Sequence, residues 1–252
     1  MSELILQNVT KTFGNITALN DVSFTVNDNE FFVLLGPTGA GKSTTLRIVC
    51  GLEKPDCGHV LLDGEVCDEV SPSDRDVAIV FQQYSLYPTM TVYENMAFPL
   101  KAPGRKLPKA EIKEKIEVAA EKLRITHLLD RKTAQLSGGE MQRVSIGRAI
   151  VRRPRVFLMD EPLSNLDAKL REALRAELKH LQKEEGVTTL FVTHDQIEAL
   201  TMADRIGVLN HGNLVQVGTP EDIYDRPANT YVAKLVGSPR INLLPGKLEN
   251  GK

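Results

Sequence analysis

The chain has 252 residues, enough for one large domain with a small appendage. Its 42% hydrophobic and 25% charged content is that of an ordinary folded domain, which excludes collagenous, low-complexity and disordered classes. A net charge of −2 gives no reason to expect nucleic acid as a partner. The cysteines Cys50, Cys57 and Cys67 lack the C-x-x-C spacing of a zinc or redox site and read as reduced structural thiols. The first residues are not a basic stretch followed by an apolar run, so no secretory leader is expected. No run approaches the ~18 apolar residues that span a bilayer, so work at a membrane would need another chain to cross it.

In chain order, short apolar runs alternate with helical patterns, which predicts an α/β fold. Residues 4–9 and 22–26 read as strands, and 31–35 as a buried strand running straight into Gly36. Residues 42–50 read as a helix, and 77–81 as another strand. Thr91-Val92-Tyr93-Glu94 is a capping box that opens a helix. Residues 101–108 read as a linker, after which Ile112, Ile116, Ala119 and Leu123 fall on one helical face. Residues 84–153 are therefore expected to form a helical subdomain inserted into a sheet domain. Runs at 156–159, 189–193 and 206–209 have strand length, and Leu170, Leu174, Leu178 and Leu181 define an amphipathic helix between the first two. Thr219-Pro220-Glu221-Asp222 is a capped helix start.

Gly36-Pro37-Thr38-Gly39-Ala40-Gly41-Lys42-Ser43 matches G-x-x-x-x-G-K-[ST] in its required setting, between a strand and a helix. Glycines let the backbone wrap phosphates, Lys42 should reach the β- and γ-phosphates, and Ser43 should ligate Mg²⁺. The apolar run at 156–159 ends in Asp160-Glu161: Asp160 suits an Mg²⁺ partner, and Glu161 is placed to accept a proton from attacking water. Gln82 and His194 also directly follow apolar runs. In an open parallel sheet, ligands bind outside the carboxyl ends of the strands, so all four groups would converge on one edge. Leu136-Ser137-Gly138-Gly139-Glu140-Met141-Gln142-Arg143 supplies a second helix start whose free N–H groups can hold a phosphate.

The order of these segments, with Ser164-Asn165-Leu166-Asp167 between Glu161 and His194, resembles the ATP-binding-cassette (ABC) ATPases. The resemblance implies a P-loop NTPase core with a mixed sheet, an N-terminal antiparallel β subdomain and the helical subdomain at 84–153. It implies an ATPase domain over 1–236, with 237–252 the stub or start of a regulatory β domain. ATP would be held by Phe13, stacked on adenine, and by Gly36, Pro37, Thr38, Gly39, Ala40, Gly41, Lys42, Ser43, Thr44 and Gln82. Core packing is the competing reading for Phe13. Gln82 would touch the metal or water, and His194 would hold the γ-phosphate and orient Glu161. Ser137, Gly138 and Gly139 would complete the site of a second copy, or close paralogue, in an ATP-sandwich dimer, with Asp167 at the seam.

Within that family the chain resembles the ATPase subunits of maltose-type importers. The match runs through Val80-Phe81-Gln82-Gln83-Tyr84-Ser85-Leu86-Tyr87-Pro88, Thr193-His194-Asp195-Gln196, and Gly218-Thr219-Pro220-Glu221-Asp222-Ile223-Tyr224. Thr38 and Ala40 depart from residues common in relatives, at positions where backbone N–H groups do the binding. The resemblance implies two transmembrane permease subunits, an extracytoplasmic solute-binding protein acting indirectly, and a peripheral place on the cytoplasmic face of the membrane. Importers of polyamines, iron or phosphorylated polyols share much of the pattern. A cassette ATPase acting on DNA or ribosomes is the rival of another class. It is disfavoured because no long heptad run separates Lys42 from Ser137 and only one cassette is present. A P-loop kinase or GTPase would leave 136–143 unexplained.

Overall fold

A computed structural model describes residues 2–102, 107–239 and 241–244. Strands β1 (Leu4–Phe13) and β2 (Ile16–Val26) form an antiparallel hairpin that outruns the expected 4–9 and 22–26. Register shifts after Leu6 and Val9, and Asn8 in a left-handed conformation, break the period-two pattern that would have marked the extra length. Then follow β3 (Phe31–Leu35), α1 (Lys42–Val49), β4 (Cys57–Leu62), β5 (Glu65–Val66) and β6 (Val77–Val80). The next strand is β7 (Val156–Asp160). Between β6 and β7 lie α2 (Val92–Ala97), α3 (Lys109–Lys122), α4 (Gly138–Ile150) and short 3₁₀ turns. The chain continues through α5 (Ala168–Glu185), β8 (Thr188–Thr193), α6 (Gln196–Met202), β9 (Arg205–Asn210), β10 (Asn213–Gly218), α7 (Pro220–Asp225) and α8 (Thr230–Val236). Residues 103–106 of the expected linker, and 240 and 245–252 of the expected stub, lie outside the described residues.

One antiparallel sheet has the order β2-β1-β4-β5. The second has the order β10-β9-β3-β8-β7-β6, parallel throughout except for β10. β3 is central and wholly buried, and its alternation splits it between two cores. Phe31, Val33 and Leu35 face the helices after β6, while Phe32 and Leu34 face α1 and the antiparallel sheet. The helical segment shares its core with the sheet: Met96, Ile116 and Val144 pack in the same cluster as Val80 and Phe157. Buried Leu174, Leu178 and Leu181 fix α5 on that face, and Leu170 is half-buried.

Cys50 and Cys67 are buried, Cys57 is exposed, and all three are free thiols. Burial pushes the Cys50 and Cys67 thiols up, away from the reactive thiolate. Among the described residues no helix is long and apolar enough to cross a membrane.

Candidate active site

Because β3, β6, β7 and β8 run parallel, their carboxyl ends share one edge of the sheet. The loop 36–41 leaves β3 there and Gly41 caps α1 at φ 105°, a left-handed geometry. A Cβ on Gly41 would stand 2.5 Å from the Ala18 carbonyl, so only glycine fits. The first N–H groups of α1 are left to face the loop, as an anion site requires.

Lys42 is 4% exposed, and its ammonium donates to the carbonyls of Gly36 (2.9 Å) and Pro37 (3.0 Å). It also pairs with Glu161 Oε1 at 3.1 Å. The Ser43 hydroxyl donates to Asp160 Oδ1 at 2.9 Å. Burial is the largest influence on Asp160 and pushes its carboxyl up; the Ser43 bond opposes this, and the charge of Glu161 adds to it. Glu161 itself sits at φ 43°, which is costly for a residue with a side chain and is held by its N–H donating to Val192 O at 3.1 Å. That turn aims the carboxylate so that Oε2 lies 2.8 Å from His194 Nδ1. Gln82 Nε2 donates to Ser164 Oγ (3.2 Å), which donates to the Glu161 carbonyl (2.8 Å). Asn165 Nδ2 closes the web on the Gln82 carbonyl at 2.9 Å.

These groups border an open cleft of about 410 Å³ lined by Thr38, Gly39, Gly41, Lys42, Ser43, Thr44, Gln82 and Glu161, with Ile16, Thr17, Ala18 and His211. The last four carry no motif: three come from the β1–β2 hairpin and His211 from the β9–β10 turn, so tertiary structure alone brings them in. Asp160 and His194 are not part of the lining but are bonded to it, through Ser43 and Glu161. Phe13 is 45% exposed and pairs across the hairpin with Ile16, which lines the cleft. That exposure removes the core-packing reading for its ring, over which Lys11 Nζ stands at 5.3 Å.

Ser137, Gly138, Gly139 and Asp167 do not line this cleft. Ser137 caps α4 in a reciprocal box: its N–H and hydroxyl donate to Glu140 Oε2 at 2.8 and 2.7 Å, and its Oγ accepts from the Glu140 N–H at 3.4 Å. These bonds hold the Glu140 carboxyl below its usual range. A Cβ on Gly139 would meet Leu170, whose N–H is capped by Asp167 at 3.0 Å. The second helix start and Asp167 therefore stand side by side, away from the chain's own phosphate loop.

A phosphate cradle between strand and helix, with a carboxylate, a glutamine and a histidine at the ends of neighbouring parallel strands, defines a P-loop ATPase of the cassette type. Residues 19–164 match the ABC transporter family, and the chain belongs to it as an ATP-binding, ATP-hydrolysing subunit. It is 57% identical over 250 residues to the trehalose/maltose import ATP-binding protein MalK of Thermococcus litoralis, covering 97% of this chain and 67% of that protein. It is 54% identical to the sn-glycerol-3-phosphate import ATP-binding protein UgpC of Brucella abortus, covering 97% and 69%. The chain thus spans about two thirds of the length of these relatives. Among solved structures, a nucleotide-free ATP-binding cassette from an ABC transporter superposes at TM-score 0.81 with 28% identity, over 93% of this chain and 98% of that one. A dimeric bacterial ABC transporter cassette superposes at 0.76 with 34% identity, over 86% and 98%.

Proposed function

We propose that this chain hydrolyses ATP between two copies of itself, or itself and a close paralogue, to drive solute import through two transmembrane permease subunits. The observation that carries the reading is Glu161, held between Lys42 and His194 at the edge of a cleft of nucleotide size. Relatives named for trehalose/maltose and trehalose import favour a sugar as the solute. The relatives named for sn-glycerol-3-phosphate import keep a polyol phosphate as the second reading. The solute-binding protein would act through the permeases, and the chain would sit peripherally on the cytoplasmic face of the membrane.

In this reading Phe13 stacks on the adenine, and the loop 36–41 with the N–H groups of Lys42, Ser43 and Thr44 wraps the phosphates. Lys42 neutralises the β- and γ-phosphates. Glu161 accepts the proton of the attacking water, and His194, bonded to the other carboxylate oxygen, fixes its direction. Gln82 positions that water from the end of β6. Ser137, with the N–H groups of Gly138 and Gly139 at the start of α4, meets the partner's γ-phosphate, with Asp167 at the seam, so each chain supplies two half-sites.

Ser43 and Asp160, with Gln82 beside them, would hold Mg²⁺. One hydroxyl and one half-buried carboxylate are the partial donor set that Mg²⁺ completes with water and substrate phosphates. Among the described residues no group of three or more His, Cys, Asp or Glu forms a protein-only cage, and this ion needs none. When bound, it would neutralise charge on the phosphates.

The domain reading stays 1–236 for the ATPase unit, 84–153 for the helical insert and 237–252 for the start of a further domain. The permease surface is placed near residues 83–95. Tyr87 is 38% exposed, lies against the 49%-exposed Phe98 with ring centroids 4.6 Å apart and planes tilted by 45°, and borders a groove of about 460 Å³ with Leu52 and Arg148. Tyr87→Ala should break assembly with the permeases; intact, coupled transport would remove this surface from the proposal. The dimer is tested by sizing Glu161→Gln with and without ATP and Mg²⁺. A dimer only with both is expected, and a monomer in all conditions overturns the sandwich.

A further inference from the structure

The catalytic pairing of Glu161 with His194 joins two turns, one after β7 and one after β8, and a residue outside both spans them. Arg171, in the first turn of α5, donates from Nη1 to Asp195 Oδ2 at 3.4 Å. Its Nη2 donates to the carbonyls of Leu166 at 3.0 Å and Ser164 at 3.4 Å. The first partner directly follows His194. The other two lie in the turn that begins at Glu161, where Ser164 also carries the bonds to Gln82 and to the Glu161 carbonyl.

The far side of the tie is anchored as well. The Asp195 N–H donates to Thr193 Oγ1 at 3.0 Å, and that hydroxyl donates to Glu198 Oε2 at 2.6 Å, a carboxyl only 2% exposed. His194 is therefore bracketed by two residues fixed to α6. Among the described residues, its ring bonds only to Glu161. The Arg171–Asp195 pair is partly open to solvent, at 30% and 21% side-chain exposure, and such pairs contribute little stability. Arg171 also leaves its Nε buried and unpartnered. An orphaned buried donor is expensive and persists where the group is held for another reason.

We propose that Arg171 is a positioning residue: by tying the Ser164–Leu166 carbonyls to Asp195 it sets His194 against Glu161. The proposal rests on the reading that Glu161 and His194 carry hydrolysis. It also links Asp167, the expected seam residue next to Leu166, mechanically to His194, so the partner's approach and the orientation of the histidine would be coupled through one guanidinium.

The test is steady-state ATP hydrolysis by wild type, Arg171→Ala, Arg171→Lys, His194→Ala and the double variant Arg171→Ala/His194→Ala, with thermal midpoints measured alongside. Arg171→Ala should lower kcat about tenfold or more, because a small misplacement of reacting groups is costly, while KM for ATP stays within about twofold. Arg171→Lys should recover part of the rate, since an ammonium reaches one side of the tie. The double variant should be no slower than His194→Ala alone, because a residue that acts through another adds nothing once that other is gone. A wild-type kcat in Arg171→Ala overturns the proposal, and so does a further drop on the His194→Ala background. Should Arg171→Ala fail to fold, Arg171→Lys carries the test: a partial kcat loss at constant KM supports the tie, and an unchanged kcat overturns it. If His194→Ala itself hydrolyses ATP at the wild-type rate, the reading of the site fails instead, and the two failures are told apart.

Discussion

Glu161 Oε2 and His194 Nδ1 stand 2.8 Å apart across the ends of two adjacent parallel strands, while Glu161 Oε1 pairs with Lys42 at 3.1 Å. One carboxylate thus bridges the phosphate lysine and the histidine, and its left-handed backbone at φ 43° is what turns it there. Glu161→Gln keeps an oxygen for Lys42 but removes the proposed base. Hydrolysis should fall by about 10²-fold or more, with ATP affinity retained. Phosphate release measured beside equilibrium nucleotide binding checks this. Retained hydrolysis would remove Glu161 as the base.

Ser137→Arg separates the two helix starts proposed to bind phosphate. Ser137 caps α4 and lies away from the chain's own cleft, so the substitution should leave ATP binding to the monomer unchanged and abolish hydrolysis. The cap itself contributes about 1 kcal/mol, small enough for the fold to survive. Loss of nucleotide binding in this variant would mean that Ser137 serves the same site as Lys42.

The site was legible in the sequence wherever a motif ended a buried strand. β3 alternates between two cores and runs straight into Gly36, and the strand ends at Gln82, Glu161 and His194 could be read together because parallel strands share an edge. The Thr91 box and the Thr219 cap were legible too, since capping needs only local spacing. β4 was not, because Gly58 and His59 interrupt its apolar pattern. Ile16, Thr17, Ala18 and His211 were not either: they reach the cleft through hairpin pairing and a turn, which no local pattern encodes. The left-handed turn at Glu161 was equally hidden, since nothing in Asp160-Glu161-Pro162 distinguishes a strained carboxylate from an ordinary helix start.

Glu198 predicts a pH signature. Burial pushes its carboxyl up, against the pull of the Thr193 hydroxyl. A carboxyl raised in the folded state contributes stability that is complete below its unfolded value, about 4.3, and lost as pH rises through the folded value. Glu198→Gln keeps an acceptor for Thr193 and cannot ionise. Its thermal midpoint should therefore gain on wild type as pH rises above about 4.3, and the gain should vanish in acid. A fixed offset from the buried amide would leave this slope untouched. Parallel midpoint–pH curves for the two proteins would show that Glu198 does not titrate with folding.

Phe13 tests the outer edge of the cleft. Its ring is 45% exposed, so its removal should cost the fold little, and the midpoint of Phe13→Ala should match wild type. If the ring stacks on adenine, however, ATP loses a contact that contributes about 1–3 kcal/mol for a base, which raises KM roughly tenfold. kcat should stay within about twofold, because the stack is the same in ground and transition states. Phe13→Trp should restore or tighten binding, since a larger face stacks at least as well. Steady-state kinetics with ATP decide the point: an unchanged KM in Phe13→Ala would move adenine recognition to Ile16 on the opposite strand, whose side chain already lines the cleft.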